Sequence, residues 1–160
     1  MALPQATAED ASAPETADGY FSPLAPAKRV LLATFKWGRT PVASPTRMVV
    51  HGDRAYFRTW SKSPAGKRLR NNDWVQLAPC AALGLYRHGP WLDATARLLD
   101  GEEASQAAGK LARQHHGRHG GLAALAYRFR GARPAHYELR PCAGAGARAD
   151  RDTTGRPRAT

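Results

Sequence analysis

The sequence predicts a mainly β domain, a barrel of six or so antiparallel strands with two or three helices added late. Three observations carry this reading. Between Arg29 and Trp60 lie three runs rich in β-branched and apolar residues, separated by turns around Gly38 and around His51-Gly52-Asp53. Those gaps are too short for the crossover helices that parallel strands require. Apolar residues at helical spacing begin only after Asp100.

The first strand is expected over 29–35, an apolar, β-branched stretch fit for burial. Residues 42–50 read as the second, with Pro41 and Pro45 marking an edge or a bulge. Residues 54–60 read as the third, and the three together as an antiparallel meander. A loop from Ser61 then runs into a short helix near 67–71. A fourth strand is expected over 74–78, stopped by Pro79. The fifth, over 91–99, alternates, with Leu92, Ala94, Ala96 and Leu98 expected on the core face. Asp100 is a candidate N-cap with Glu103 at N3. Ala104, Ala107, Ala108, Leu111, Ala112 and His115 follow as one helical stripe. Leu122, Leu125, Ala126 and Phe129 mark another helix, stopped by Gly131 and Pro134, before a last strand over 135–140.

One domain over 20–142 accounts for the apolar sequence. Residues 1–19 and 143–160 lack the apolar content to offset backbone ordering and are expected to be disordered tails. The net charge is +11, yet Glu9, Asp10, Glu15 and Asp18 give the first twenty residues only acids, so the positive surplus lies in the domain. Such a surface attracts anions, whether phosphates, nucleic acid, acidic lipid or carboxylates. Cys80 and Cys142 read as reduced thiols. With no secretory leader pattern and no apolar run of membrane length, a cytoplasmic protein is expected.

The third strand and the basic loop after it carry the strongest chemical signal. Arg58, Thr59, Lys62, Ser63, Lys67 and Arg70 set basic side chains and hydroxyls beside a helix start, which suits a phosphate dianion. A solvated basic helix face is the plainer alternative. His115, His116 and His119 crowd one segment, but no carboxylate or thiol nearby completes a zinc set, so no metal is expected. Paired carboxylates, a nucleophile elbow and a Walker loop are absent, which removes the usual hydrolytic tools. Hydride transfer needs none of these, because a cofactor carries the reactive atom.

Several stretches then share one order: 29–35, Pro41-Val42, Ser44-Pro45, 52–59, 66–71, 75–80, 96–104 and 136–139. In that order the chain resembles the actinobacterial branch of the pyridoxamine 5′-phosphate oxidase-like class, commonly described as coenzyme F-420-dependent oxidoreductases, over about 21–141. The resemblance implies a split β-barrel homodimer with the cofactor in the groove between subunits. It implies a phosphate grip by Arg58, Thr59, Lys62, Ser63, Lys67 and Arg70, and a ring system beside Ser44, Pro45 and Thr46. It implies hydride transfer between F-420 and a small organic substrate, or the same fold holding FMN as a flavoprotein. Tyr86 and His88, near the groove, are the candidate proton donors. Relatives often carry Gly-Lys-Ala-Lys-Arg-Leu where this chain has Pro64-Ala65-Gly66-Lys67-Arg68-Leu69, so one lysine is missing unless Lys62 substitutes for it. A competing reading is a non-catalytic basic module binding nucleic acid or carrying a cofactor, with Trp37, Tyr56, Trp60, Trp74 and Trp91 as stacking surfaces. Aromatics scattered along strands are more often core or dimer interface.

Overall fold

The computed structural model describes residues 19–37, 39–81, 86–115 and 121–142. The expected tails, apart from Gly19, lie outside the described residues. Seven strands form one antiparallel sheet: β1 Arg29–Phe35, β2 Pro41–Thr46, β3 Met48–His51, β4 Arg54–Trp60, β5 Trp74–Cys80, β6 Leu92–Leu99 and β7 Pro134–Pro141. Three α-helices accompany them: α1 Pro64–Asn71, α2 Gly101–His115 and α3 Gly121–Phe129. The sheet order is β2-β1-β5-β6-β7-β4-β3.

The expected second strand is two strands. Residues 41–46 pair with β1 at one edge of the sheet, and residues 48–51 pair with β4 at the other. Only Arg47 separates them, so the two edges are tied together covalently and the sheet must curl into a half-closed barrel. The three-strand meander therefore holds pairwise, with the middle strand divided between its neighbours. Edge placement also explains how β2 tolerates Pro41 and Pro45, which lack ladder donors.

The core is the inner face of this curl. Val30 and Leu32 of β1, Phe57 of β4, Val75 and Leu77 of β5, Ala94 of β6 and Leu139 of β7 are buried together with Phe21 and Leu24. Phe57 and Tyr137 stack across the β4–β7 pair with centroids 5.2 Å apart. Three expectations need correcting. Pro79 does not stop β5: it sits opposite Val30 in the ladder, and the strand continues to Cys80. Leu98 is 53% exposed although it pairs with buried Tyr137, while Leu99, opposite His136, is buried. Glu103 is not closing a capping box either. It accepts two hydrogen bonds from Arg97, at 2.9 and 3.0 Å.

Between β4 and β5, α1 starts at Ser63, whose hydroxyl accepts from the Gly66 amide, and Pro64 occupies the first turn. α3 ends as its composition predicts. Gly131 adopts a left-handed φ of 64°, and the Ala132 and Gly131 amides donate to Tyr127 and Arg128 carbonyls at 2.9 Å. Its apolar stripe is only partly covered, since Leu125 and Phe129 are exposed. Among the described residues, no helix is long and apolar enough to cross a membrane.

Candidate functional site

A cavity of about 840 Å³ opens where the curled sheet fails to close. Its wall takes Arg29 from β1, Ser44, Pro45 and Thr46 from β2, Arg47, Arg58 to Trp60 from β4, and Ser63 to Ala65 with Arg68 at α1. Ala108, Leu111, Ala112 and His115 of α2, Tyr127 of α3, and Pro134 and His136 of β7 complete it. Four guanidinium groups and two imidazoles thus face one space, and no Asp or Glu among the described residues lines it.

Geometry separates the expected residues into two groups. Ser44, Pro45, Thr46, Arg58, Thr59 and Ser63 are brought together on the cavity wall. Lys62, Lys67 and Arg70 are exposed and do not line it. The Lys62 ammonium donates to the Arg130 carbonyl at 2.7 Å, and Arg70 donates to the Ser61 carbonyl at 2.7 Å. These two basic side chains tie the loop down. Tyr86 and His88 are exposed and stand apart from the cavity wall. Of the histidine cluster, His115 reaches the Met48 carbonyl at 3.1 Å, while His116 and His119 lie outside the described residues. No group of three His, Cys, Asp or Glu among the described residues is placed to hold a metal ion.

Hydrogen bonding decides what the hydroxyls can do. Ser63 donates to the Trp60 carbonyl at 2.7 Å and accepts from the Gly66 amide at 3.0 Å. The Thr59 hydroxyl, 3.0 Å away, must then be the donor to Ser63. Ser63 is saturated and Thr59 has spent its proton, so both stiffen the loop and neither has a proton left to donate to an anion. The donors for an anion are the guanidiniums. Arg68 is positioned by its Nε, which donates to Thr34 at 2.7 Å. Thr34 is itself buried, with its hydroxyl 3.4 Å from the Val42 carbonyl.

Arg58 is the most telling of them. Its guanidinium lies 5.7 Å from the Trp60 ring centroid, and Trp60 in turn stacks on Tyr127 at 5.6 Å. Burial lowers its pKa from the ordinary arginine value. Opposite it in the ladder stands His136, whose pKa is pushed down by burial and then by the Arg58 charge. A partly desolvated cation beside a neutral imidazole, with no carboxylate among the described residues of the wall, is an arrangement that an arriving anion would stabilise.

The contributions of α2, α3 and β7 were missed at the sequence level. The small-residue stripe Ala108, Ala112 with Leu111 and His115 was the available signal, because Ala side chains leave room above a strand for a ligand.

No family model matches the sequence, and no curated protein does. Solved structures do match in shape. An F-420 reductase superposes with a TM-score of 0.52 at 20% identity, covering 79% of this chain and 95% of its own. The heme storage protein HutZ from Vibrio cholerae gives 0.54 at 16% identity, covering 73% and 83%. A candidate pyridoxamine 5′-phosphate oxidase from Listeria innocua gives 0.50 at 13% identity, covering 74% and 86%. At these identities the likeness concerns the fold: the chain carries the split β-barrel of pyridoxamine 5′-phosphate oxidase-like proteins.

Proposed function

We propose that the protein is an oxidoreductase that holds the deazaflavin F-420 by its phosphate in the cavity between β4 and α2. One observation carries this reading: a cavity of about 840 Å³ walled by Arg29, Arg58 and Arg68 together with Arg47, with no carboxylate among the described residues that line it. The same wall offers Pro45, Leu111 and Tyr127 as apolar surface for a ring system. Charge at one part and apolar surface at another fit a phosphate-bearing planar cofactor. Solved structures of similar shape include an F-420 reductase, which supports the choice of ring.

When bound, F-420 supplies the carbon that gives or takes a hydride. The chain's own work is to bind and orient. Arg58 and Arg68 meet the phosphate, with Arg68 held by Thr34 and Arg58 set against Trp60. Thr59 and Ser63 hold the β4–α1 loop in place. Second copies of the chain would complete the groove as a homodimer, which light scattering on the purified protein tests directly.

A second reading is favoured by His115 and His136, two imidazoles on the same wall, and by the likeness to a heme storage protein. A single set of titrations separates the readings. The purified chain is titrated with F-420, FMN and hemin, following ligand fluorescence for the first two and the Soret band for the third. Saturable binding of F-420, weakened in Arg58→Ala, supports the proposal. Binding of FMN alone moves the protein to the flavin branch. A Soret shift abolished by His136→Ala, with neither of the others bound, replaces it with the heme reading.

A further inference from the structure

A second cavity, about 510 Å³, lies at the β1–β2 hairpin, and Arg68 is in the wall of both cavities. Its other walls include Phe35, Lys36, Trp37, Arg39 and Asn71. Three features of this site call for a ligand. First, Trp37 is 87% exposed in the single chain, so its indole face is open to a ligand. Second, Arg39 is the only non-glycine with a left-handed backbone among the described residues, at φ 64°. Such strain persists where the surroundings enforce it, and here the Lys36 amide donates a hydrogen bond to the Thr40 carbonyl at 3.0 Å and the Arg39 amide donates to the Lys36 carbonyl at 3.1 Å. Third, Lys36, Arg39 and Arg68 make the wall cationic, and no acid among the described residues lines it. Phe35 beneath is rigid, stacked on Trp74 with centroids 4.3 Å apart.

From this we infer that the hairpin cavity binds a planar, conjugated carboxylate, with the ring on Trp37 and the carboxylate on Arg39 and Lys36. An indole face takes a flat ring without demanding hydrogen bonds, and the guanidinium selects the acid over its neutral analogue. Arg68, shared by the two walls, sets this anion beside the larger cavity. That it is the substrate of the reaction rests on the cofactor reading above, whereas the binding site itself does not.

The test uses the full chain without cofactor and three probes measured by calorimetry: naphthoate, naphthamide with the same ring and no charge, and hexanoate with the charge and no ring. Naphthoate is expected to bind at least about tenfold more tightly than either. Trp37→Ala and Arg39→Gly are each expected to weaken it about tenfold. Both positions are exposed, and glycine relieves the Arg39 backbone, so thermal unfolding stays unchanged or rises. Arg58→Ala is expected to leave naphthoate affinity as it is while weakening F-420. Equal binding of naphthamide, or loss of naphthoate binding in Arg58→Ala but not in Trp37→Ala, overturns the inference. Naphthoate binding without F-420 binding would sink the cofactor reading alone, and F-420 binding without naphthoate would sink this one alone.

Discussion

Arg58 of β4 and His136 of β7 face each other across the antiparallel ladder, and both line the large cavity. Burial, and then the neighbouring guanidinium, keeps the imidazole below the ordinary histidine pKa of about 6.5. In the folded protein His136 therefore resists a proton that the unfolded chain accepts. Stability tied to this group is complete at neutral pH and is lost as pH falls below about 6.5, until the folded-state pKa is reached. Denaturant midpoints measured between neutral and mildly acid pH are expected to show this slope, and His136→Gln to flatten it. A phosphate bound beside both groups favours the imidazolium, so anion binding should take up a proton. Calorimetry in two buffers of different ionisation enthalpy reads that uptake, and equal heats would refute it.

Glu138 gives a second acid limb, in a lower window. It is buried on the outer face of β7 and receives Arg54 at 2.9 Å, Arg140, and Arg97 at 3.5 Å. Burial alone would raise its pKa, but the hydrogen bonds from Arg140 and Arg97 and their charges overcome that and hold it below the usual carboxylate range. Its contribution is present above about pH 4.3 and is lost as pH falls through the folded-state pKa. The three guanidiniums are 31, 42 and 47% exposed, so solvent screens the network. Glu138→Ala should cost about 2 kcal/mol, less than the loss of a deeply buried pair. Urea unfolding at neutral pH checks the magnitude, and a change within error would show the network to be ornamental.

The strands were legible where one face is buried and the pattern is local. β1, β4 and β6 follow from β-branched or alternating residues between turns, and α2 from its stripe. The division of 41–51 at Arg47 was not legible, because a strand shared by two sheet edges has the same period as one continuous strand. The basic loop was legible as charge but not as geometry. Lys62 and Arg70 turn back to carbonyls at 2.7 Å, whereas Arg29, Arg47 and Arg68 reach the cavity from three different elements. A run of cations in sequence does not say which of them share a space. His136 was invisible for the same reason, since it meets Arg58 only through long-range pairing.

The loop that carries this site depends on one glycine and one hydroxyl. A Cβ at Gly66 would stand 2.5 Å from the Trp60 carbonyl and 3.2 Å from that of Ser61, both backbone atoms that cannot swing aside. Gly66→Ala is therefore expected to destabilise the fold by about 2–3 kcal/mol, although alanine is the better helix former. Ser63→Ala removes the cap and strands the Thr59 hydroxyl, for a loss of about 1 kcal/mol. Chemical denaturation of both variants decides the point: a Gly66→Ala protein as stable as wild type would mean that the Trp60–Gly66 approach is not as close as described.

Arg58 and Lys67 make the sharpest comparison, because both belong to the basic segment and only one faces the cavity. Arg58 pays for burial in its lowered pKa, so removing its charge relieves desolvation as well as losing the Trp60 contact. Arg58→Ala should leave unfolding nearly unchanged and weaken F-420, or inorganic phosphate as a minimal probe, by about tenfold or more. Lys67 is exposed on α1, where a charge acts on a ligand only through screened solvent. Lys67→Ala should therefore change affinity by less than about twofold at physiological salt, and by more only when salt is lowered. Affinities of both variants at two salt concentrations settle the assignment. A tenfold loss in Lys67→Ala with none in Arg58→Ala would place the phosphate on the outside of α1 and not in the cavity.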